Sequence, residues 1–236
     1  MKNVFFVLFI FLTSFSYSQR NVSADVEIKQ VAKGKVFTIK KSIYYQSSGK
    51  LVVHFTVPEE YFIVTNSFGE TKAYIPSKNE VTVFNDKTFS SENELLYYFF
   101  SNKIDDLGLK ELGFTVTSIR TDNDNIVKTY TSDKNEYKNI SKIEMVYENY
   151  LPVYCAYFNP KGEITRKIYY SNYSHYSQLT LPTRITEIVY NSPVDSIVKR
   201  EIYSNIKLNN ATNNTLFEYE VPASAKFITT PNNVKK

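Results

Sequence analysis

The chain has 236 residues, 42% of them hydrophobic and 16% aromatic, carried by 20 Tyr and 17 Phe with no Trp. That suits one β-rich domain or at most two small ones, and it excludes a disordered chain. A scattered net charge of +4 argues against nucleic acid as a partner, six Gly disfavour phosphate-cradling loops, and a single Cys excludes an internal disulfide.

The first residues read as a targeting signal. Lys2 gives a positive start, Val4 to Leu12 form an apolar stretch too short to span a membrane, and Ser16-Tyr17-Ser18 offer small residues for cleavage. The expected division is a signal peptide over 1–18, a β domain over 19–228 beginning at Gln19, and a flexible tail over 229–236. No Cys stands near the cleavage point to carry a lipid anchor. Loss of Lys2 leaves 27 basic against 24 acidic residues.

Residues 19–33 are polar and weakly patterned, and allow a short helix from Ser23. Period two then sets in. Phe37, Ile39, Ile43 and Tyr45 share a face, as do Leu51, Val53, Phe55 and Val57 before Pro58. Tyr61 to Thr65, Thr71 to Ile75, and Val81 with Val83 continue the strands. A helix is expected from Glu92 to Leu107. Ser91 and Glu94 make a capping box, Leu96, Phe100, Ile104 and Leu107 a stripe, and Gly108 a left-handed stop.

Strands resume at Phe114 to Ile119, Ile126 to Tyr130, Lys142 to Tyr147 and Val153 to Phe158. Ile164 to Tyr170 and Ile185 to Val189 follow. Val198, Arg200, Ile202, Ser204, Ile206 and Leu208 are expected on one face, and Leu216 to Val221 as a last strand. The fold class is mainly β, with a single antiparallel sheet and one apolar helix inserted midway.

Catalytic machinery is hard to find. The two His, His54 and His175, lie far apart in sequence, and no nucleophile elbow, phosphate loop or dinucleotide fingerprint occurs. Cys155 lies in the most apolar strand and reads as a buried, inert thiol. No metal or cofactor is expected, and the chain does not read as an enzyme. A long antiparallel sheet that coils without closing leaves a concave apolar face. The helix either completes a solid core there or covers a cavity for an apolar ligand.

Two runs carry a family resemblance. His54-Phe55-Thr56-Val57-Pro58-Glu59-Glu60-Tyr61-Phe62-Ile63-Val64, then Gly69-Glu70-Thr71-Lys72-Ala73-Tyr74-Ile75-Pro76, resembles the early strands of the periplasmic lipoprotein carriers of the Lol system (LolA-like). Leu151-Pro152, Gly162-Glu163-Ile164, Leu181-Pro182-Thr183-Arg184 and Ile202 to Asn209, leading to Phe217 and Val221-Pro222, resemble their outer-membrane lipoprotein-sorting relatives.

The resemblance implies an incompletely closed β-barrel with a helical lid. It implies a monomeric, non-catalytic carrier in the periplasm that takes the acyl chains of lipoproteins or another apolar ligand toward the outer membrane. Its partners would be inner-membrane lipoprotein-release machinery and an outer-membrane acceptor. The cavity residues expected on this reading are Val53, Phe55, Leu96, Phe99, Phe100, Ile168, Val198 and Ile202. An arginine that holds the lid in members of the family would fall near Gln46 or Ser47, neither of which supplies that charge; Arg166, Arg184 and Arg200 are the candidates to substitute for it. The usual aspartate before the turn glycine is Phe68. The alternative reading is an envelope sensing or scaffolding module of the same fold without lipid cargo.

Overall fold

The computed structural model describes residues 21–66, 70–84, 96–101, 103–176, 179–192, 194–209 and 215–228. The expected signal peptide, the expected capping box at Ser91 and Glu94, Phe68 and the expected tail lie outside them.

Fourteen strands make one sheet that is curved and unclosed. Strand β1 (Asn21–Ala32) is central. On one side of it runs the meander β2 (Lys35–Gln46), β3 (Leu51–Val57), β4 (Tyr61–Thr65), β5 (Thr71–Ile75) and β6 (Glu80–Phe84). On the other, β7 (Thr115–Asp122), β8 (Asn125–Thr131), β9 (Lys142–Glu148), β10 (Leu151–Phe158), β11 (Ile164–Tyr176), β12 (Leu179–Ser192) and β13 (Asp195–Leu208) run back from the far edge to pair with β1. A short β14 (Lys226–Phe227) pairs parallel to β6 and is the exception to antiparallel order. Edge strand β7 is exposed along its length.

Strand β1 replaces the short helix expected from Ser23. Val22, Ala24, Val26 and Ile28 are buried on one face, with Ser23, Asp25 and Glu27 between them. Small side chains made that stripe inconspicuous. Its hairpin to β2 turns on Lys33 and Gly34, both at positive φ (49° and 72°), the geometry that matches the twist of the flanking strands.

Strands β6 and β7 are consecutive in sequence but stand at opposite ends of the sheet, β7 at one edge and β6 beside the short β14 that forms the other. The connecting chain must therefore cross a face. Its described part, residues 96–114, brings Leu96, Phe99, Phe100, Leu109 and Phe114 into the main core with Val53, Phe55, Met145, Ile168 and Ile185. We call that side the inner face. Of the helix expected from Glu92 to Leu107, the described residues form a single α-turn, α1 (Tyr97–Phe100), with 92–95 and 102 outside them.

Ser101 Oγ turns back onto the Tyr97 carbonyl (2.9 Å), and turns follow through Gly113. Leu107 and Gly108 are both left-handed (φ 46° and 81°), so Gly108 does take the expected conformation, but well past the helix end. A tyrosine–phenylalanine run has modest helix propensity, and packing rather than helicity holds this segment.

The C-terminal chain crosses the outer face. The strand expected at Leu216 to Val221 is instead a 3-10 turn (Thr215–Glu218) and irregular backbone, which cover β2–β6. Phe217 meets the Tyr44 ring edge-on (5.4 Å), and Tyr219 stacks on Phe62 (4.2 Å). His54 stacks on the same Phe62 ring (4.2 Å) and bonds Glu60 at 2.9 Å. Gln46 Nε2 and Lys50 Nζ reach Glu218 (2.9 and 3.3 Å). Among the described residues no helix is long and apolar enough to cross a membrane.

Phe217 is 4% exposed. Phe217→Ala should cost about 3 kcal/mol by leaving a hole above Tyr44. Urea unfolding measures this, and an unchanged midpoint would show that the C-terminal crossing is ornamental.

Candidate functional site at the inner face

The inner wall alternates as the strands require. Even-numbered β1 residues, odd-numbered residues of β2–β4, β9, β10 and β12, and Ile168 and Tyr170 of β11 point inward. Of the eight cavity residues expected from sequence, Val53, Phe55, Leu96, Phe99, Phe100 and Ile168 come together in this core. Val198 and Ile202 lie on the opposite face, with Ile202 39% exposed, because Tyr203 and Glu201 take the inward positions.

A β-bulge explains the split. Between β1 and β13 the register shifts at Ser23/Asp25, and Asn205 adopts φ 50°. The extra residue exchanges the two faces, so Tyr203 and then Ile206 and Leu208 all join the inner core. Asn205 and Ser42 both bond Asp25 on the outer side (2.8 and 2.6 Å) and pin that bulge.

The described residues of 96–114 pack their apolar side chains onto the wall. Leu96 and Phe99 are completely buried. Phe100 stacks on Tyr45 (5.6 Å), while Phe99 packs against Tyr170 and Tyr173 (5.6 and 6.3 Å). Two clefts of about 280 and 320 Å³ open on the outer side, one beside Tyr219 and Val221 and one beside Asp25 and Ser42.

One polar point ties the segment down. The Asp105 carbonyl accepts from three side chains on β8 and β9: Lys128 Nζ (3.2 Å), Tyr130 Oη (3.2 Å) and Tyr147 Oη (2.5 Å). Lys128 Nζ also sits 4.5 Å above the Tyr147 ring. Burial pushes the Tyr147 hydroxyl far above its usual pKa, so it remains a donor. Sequence reading missed this latch because a backbone carbonyl carries no signature.

Across β9 and β10 from the latch, strands β11–β13 carry a charged cluster, equally unannounced by any motif. Arg166 Nε is 2.5 Å from Glu187 Oε1, Lys199 Nζ is 2.8 Å from Glu187 and 3.2 Å from Glu201, and the Tyr203 hydroxyl donates to Glu201. Glu187 and Glu201 are buried. Burial alone would raise the Glu187 carboxyl, but Arg166 and Lys199 hold it below the usual carboxylate range.

Of the arginines expected to replace the lid-holding one, Arg166 thus faces inward but pairs with Glu187, while Arg184 and Arg200 are exposed. Cys155 is buried beside Met145 and Ile168, and burial pushes its thiol up to about 12. Among the described residues no three His, Cys, Asp or Glu side chains gather to hold a metal.

No family model and no curated protein sequence matches the chain. Solved structures do. A DUF1329 family protein from Desulfovibrio piger superposes with a TM-score of 0.55 at 14% identity, over 86% of this chain and 91% of that one. A LolA superfamily protein from Nitrosomonas europaea gives 0.54 at 13% identity over 83% and 89%. An outer membrane lipoprotein-sorting protein domain from Vibrio parahaemolyticus gives 0.56 at 12% identity over 84% and 89%. The chain has a LolA-like fold, as its two resembling runs implied.

The depressed Glu187 pKa carries a sign. The folded protein binds fewer protons than the unfolded chain near pH 4, so the stability from this carboxylate is complete above about pH 4.3 and lost as pH falls through the lower folded value. Glu187→Gln should destabilise by roughly 1–3 kcal/mol at pH 7. The gap to wild type should close as pH approaches 3; thermal melts at both pH values measure it, and a pH-independent gap would contradict the assignment.

Proposed function

We propose that the chain is a non-catalytic periplasmic carrier whose inner face takes the acyl chains of lipoproteins, or a comparable apolar ligand, for delivery toward the outer membrane. The observation that carries this reading is that the protein's own aromatic and aliphatic side chains occupy the inner face as a ligand would. Residues 96–114 contribute their apolar groups there from largely irregular backbone, fixed at the Asp105 carbonyl. Such a segment can swing off by giving up one carbonyl and a set of non-directional contacts, which an incoming chain replaces.

Likeness of fold to a lipoprotein-sorting domain and to a LolA superfamily protein supports the same reading. The signal sequence at Lys2 to Ser18 supplies the route of export. The expected partners are release machinery at the inner membrane and an acceptor at the outer membrane. Val53, Phe55, Leu96, Phe99, Phe100 and Ile168 are the proposed ligand-lining or ligand-mimicking groups.

The scaffold reading draws on one observation, the full burial of Leu96 and Phe99, which a permanently solid core also gives. The two readings part on uptake. The apolar fluorophore N-phenyl-1-naphthylamine should bind the purified protein with enhanced fluorescence and be displaced by a diacylated lipopeptide. Absence of both would favour the scaffold.

Cys155 offers an internal reporter of opening, since it is 3% exposed on the face that the segment covers. Tyr147→Phe leaves Asp105 with two donors and removes roughly 1 kcal/mol of latch. Cys155 should then react with iodoacetamide about fivefold faster than in wild type while the melting temperature changes little. Equal rates would show that the latch does not control access.

A further inference from the structure

Two hairpins end side by side at one end of the sheet. Ala32, the last residue of β1, pairs with Lys35 of β2 and with Ile197 of β13. The β1–β2 turn at Lys33 and Gly34 therefore lies next to the β12–β13 turn that contains Val194. A Cβ added at Gly34 would meet no atom within 4 Å, so the first tip stands clear of the molecule. Turn regions are ordinarily polar, yet Val31, Val36 (64%), Phe37 (51%) and Val194 (97%) are all exposed here. One such residue would mean nothing, whereas four at one place make a patch. Val31 and Val36 face each other across the hairpin on the outer face, with Val198 next in the row. The C-terminal chain packs on Tyr44, toward the other end of β2, and leaves Val36 open.

Charge and geometry select the partner. Lys33 and Lys35 flank the turn, and Arg200 lies two residues beyond Val198 on the same face; none of the three makes an ion pair with a described residue. Asp195, the acid of the second hairpin, is bonded by Asn191 (3.2 Å). Val36 and Phe37 are neighbours on one strand and so point to opposite faces. A rigid protein surface laid on either face would bury one and leave the other in water. A second copy meeting tip to tip would bring four lysines together. A bilayer interface closes around a tip from every side. It takes aromatic and aliphatic groups at headgroup depth and offers phosphates to the lysines on the flanks.

We propose that the ends of the β1–β2 and β12–β13 hairpins form a docking site for an anionic phospholipid bilayer. Val31, Val36, Phe37 and Val194 enter the interface, and Lys33 and Lys35 are held at the phosphates. The inference does not depend on the carrier reading: a carrier uses such a site to approach a membrane, a scaffold to stay on one.

The test is co-sedimentation with sucrose-loaded vesicles of phosphatidylcholine alone or mixed with phosphatidylglycerol. The protein used begins at Gln19, so that the apolar leader cannot bind lipid itself. Mixed vesicles should bind it about a hundredfold more tightly, and raising salt to about 0.5 M should remove most of that difference. Lys33→Asn combined with Lys35→Gln should weaken binding to mixed vesicles about thirtyfold. Val36→Thr combined with Phe37→Thr should weaken it about tenfold. Both pairs are exposed, so the melting temperature should stay as in wild type. Acrylodan on Val194→Cys should shift to the blue on mixed vesicles, while the same label on Ser118→Cys of edge strand β7 should not; Cys155 is buried and stays unlabelled.

Equal binding to both kinds of vesicle, no loss in either double variant, or equal shifts from the two labels would overturn this inference. Absence of binding to any vesicle would also overturn it and assign the hairpin ends to a protein partner. None of these outcomes touches uptake of N-phenyl-1-naphthylamine at the inner face, so the carrier reading stands or falls separately.

Discussion

A single topological constraint governs this molecule: β6 and β7 follow one another in sequence yet stand at opposite ends of a fourteen-stranded sheet, β7 at one edge and β6 next to β14 at the other. Every other feature of the inner face follows from it. The connecting chain has to cross, and a crossing chain must satisfy its own backbone while covering an apolar wall. It does so with Leu96, Phe99, Phe100, Leu109 and Phe114 turned inward and with the Asp105 carbonyl offered to three donors at once. The second crossing, from central β13 to β14 beside β6, covers the outer face of β2–β6. That half of the sheet is therefore buried on both sides, which explains why Val52 and Val53, on opposite faces of one strand, are both sealed from water.

The inner face is chemically divided. Most of it is hydrocarbon and aromatic ring, but β11–β13 hold Arg166, Glu187, Lys199 and Glu201 in mutual contact. Largely buried ion pairs of this kind add little net stability over well-packed apolar groups, because desolvation consumes most of the Coulombic gain. The Glu201–Tyr203 bond and the Lys199 bridge between Glu187 and Glu201 tie β12 to β13 within the cluster.

Strands were legible in the sequence wherever side-chain size announced the period, as at Leu51 to Val57 or Ile164 to Tyr170. They were illegible where small or polar residues carried the same period, and Ala24 between Ser23 and Asp25 hid the central strand. At β13 the pattern misled in a different way. A bulge at Asn205 joins two inward stripes of opposite parity, so reading one parity throughout placed Val198 and Ile202 with Ile206 on one face. Helix length failed because an apolar run with a capping signal does not reveal that its carbonyls find tyrosine hydroxyls instead of helical partners. The latch and the charged cluster were beyond reach for a shared reason: each depends on strands far apart in sequence, and no local spacing encodes them.

Magnitudes connect the crossing segment to carriage. Burying the five inward side chains of residues 96–114 contributes on the order of 2 kcal/mol each, or about 10 kcal/mol together. An acyl chain of about fifteen methylenes gains roughly 12 kcal/mol from the same wall at about 0.8 kcal/mol per methylene. The two occupants are therefore closely matched. With the segment in place that part of the wall is shielded from water. On the carrier reading proposed above, exchange for a ligand would cost little net free energy, so the direction of transfer would fall to small differences such as the latch at Asp105. A wall much greasier than its own plug would bind acyl chains without releasing them, and one much less greasy would not extract them. Near-equality of the two is the condition under which a sheet of this shape can both load and unload.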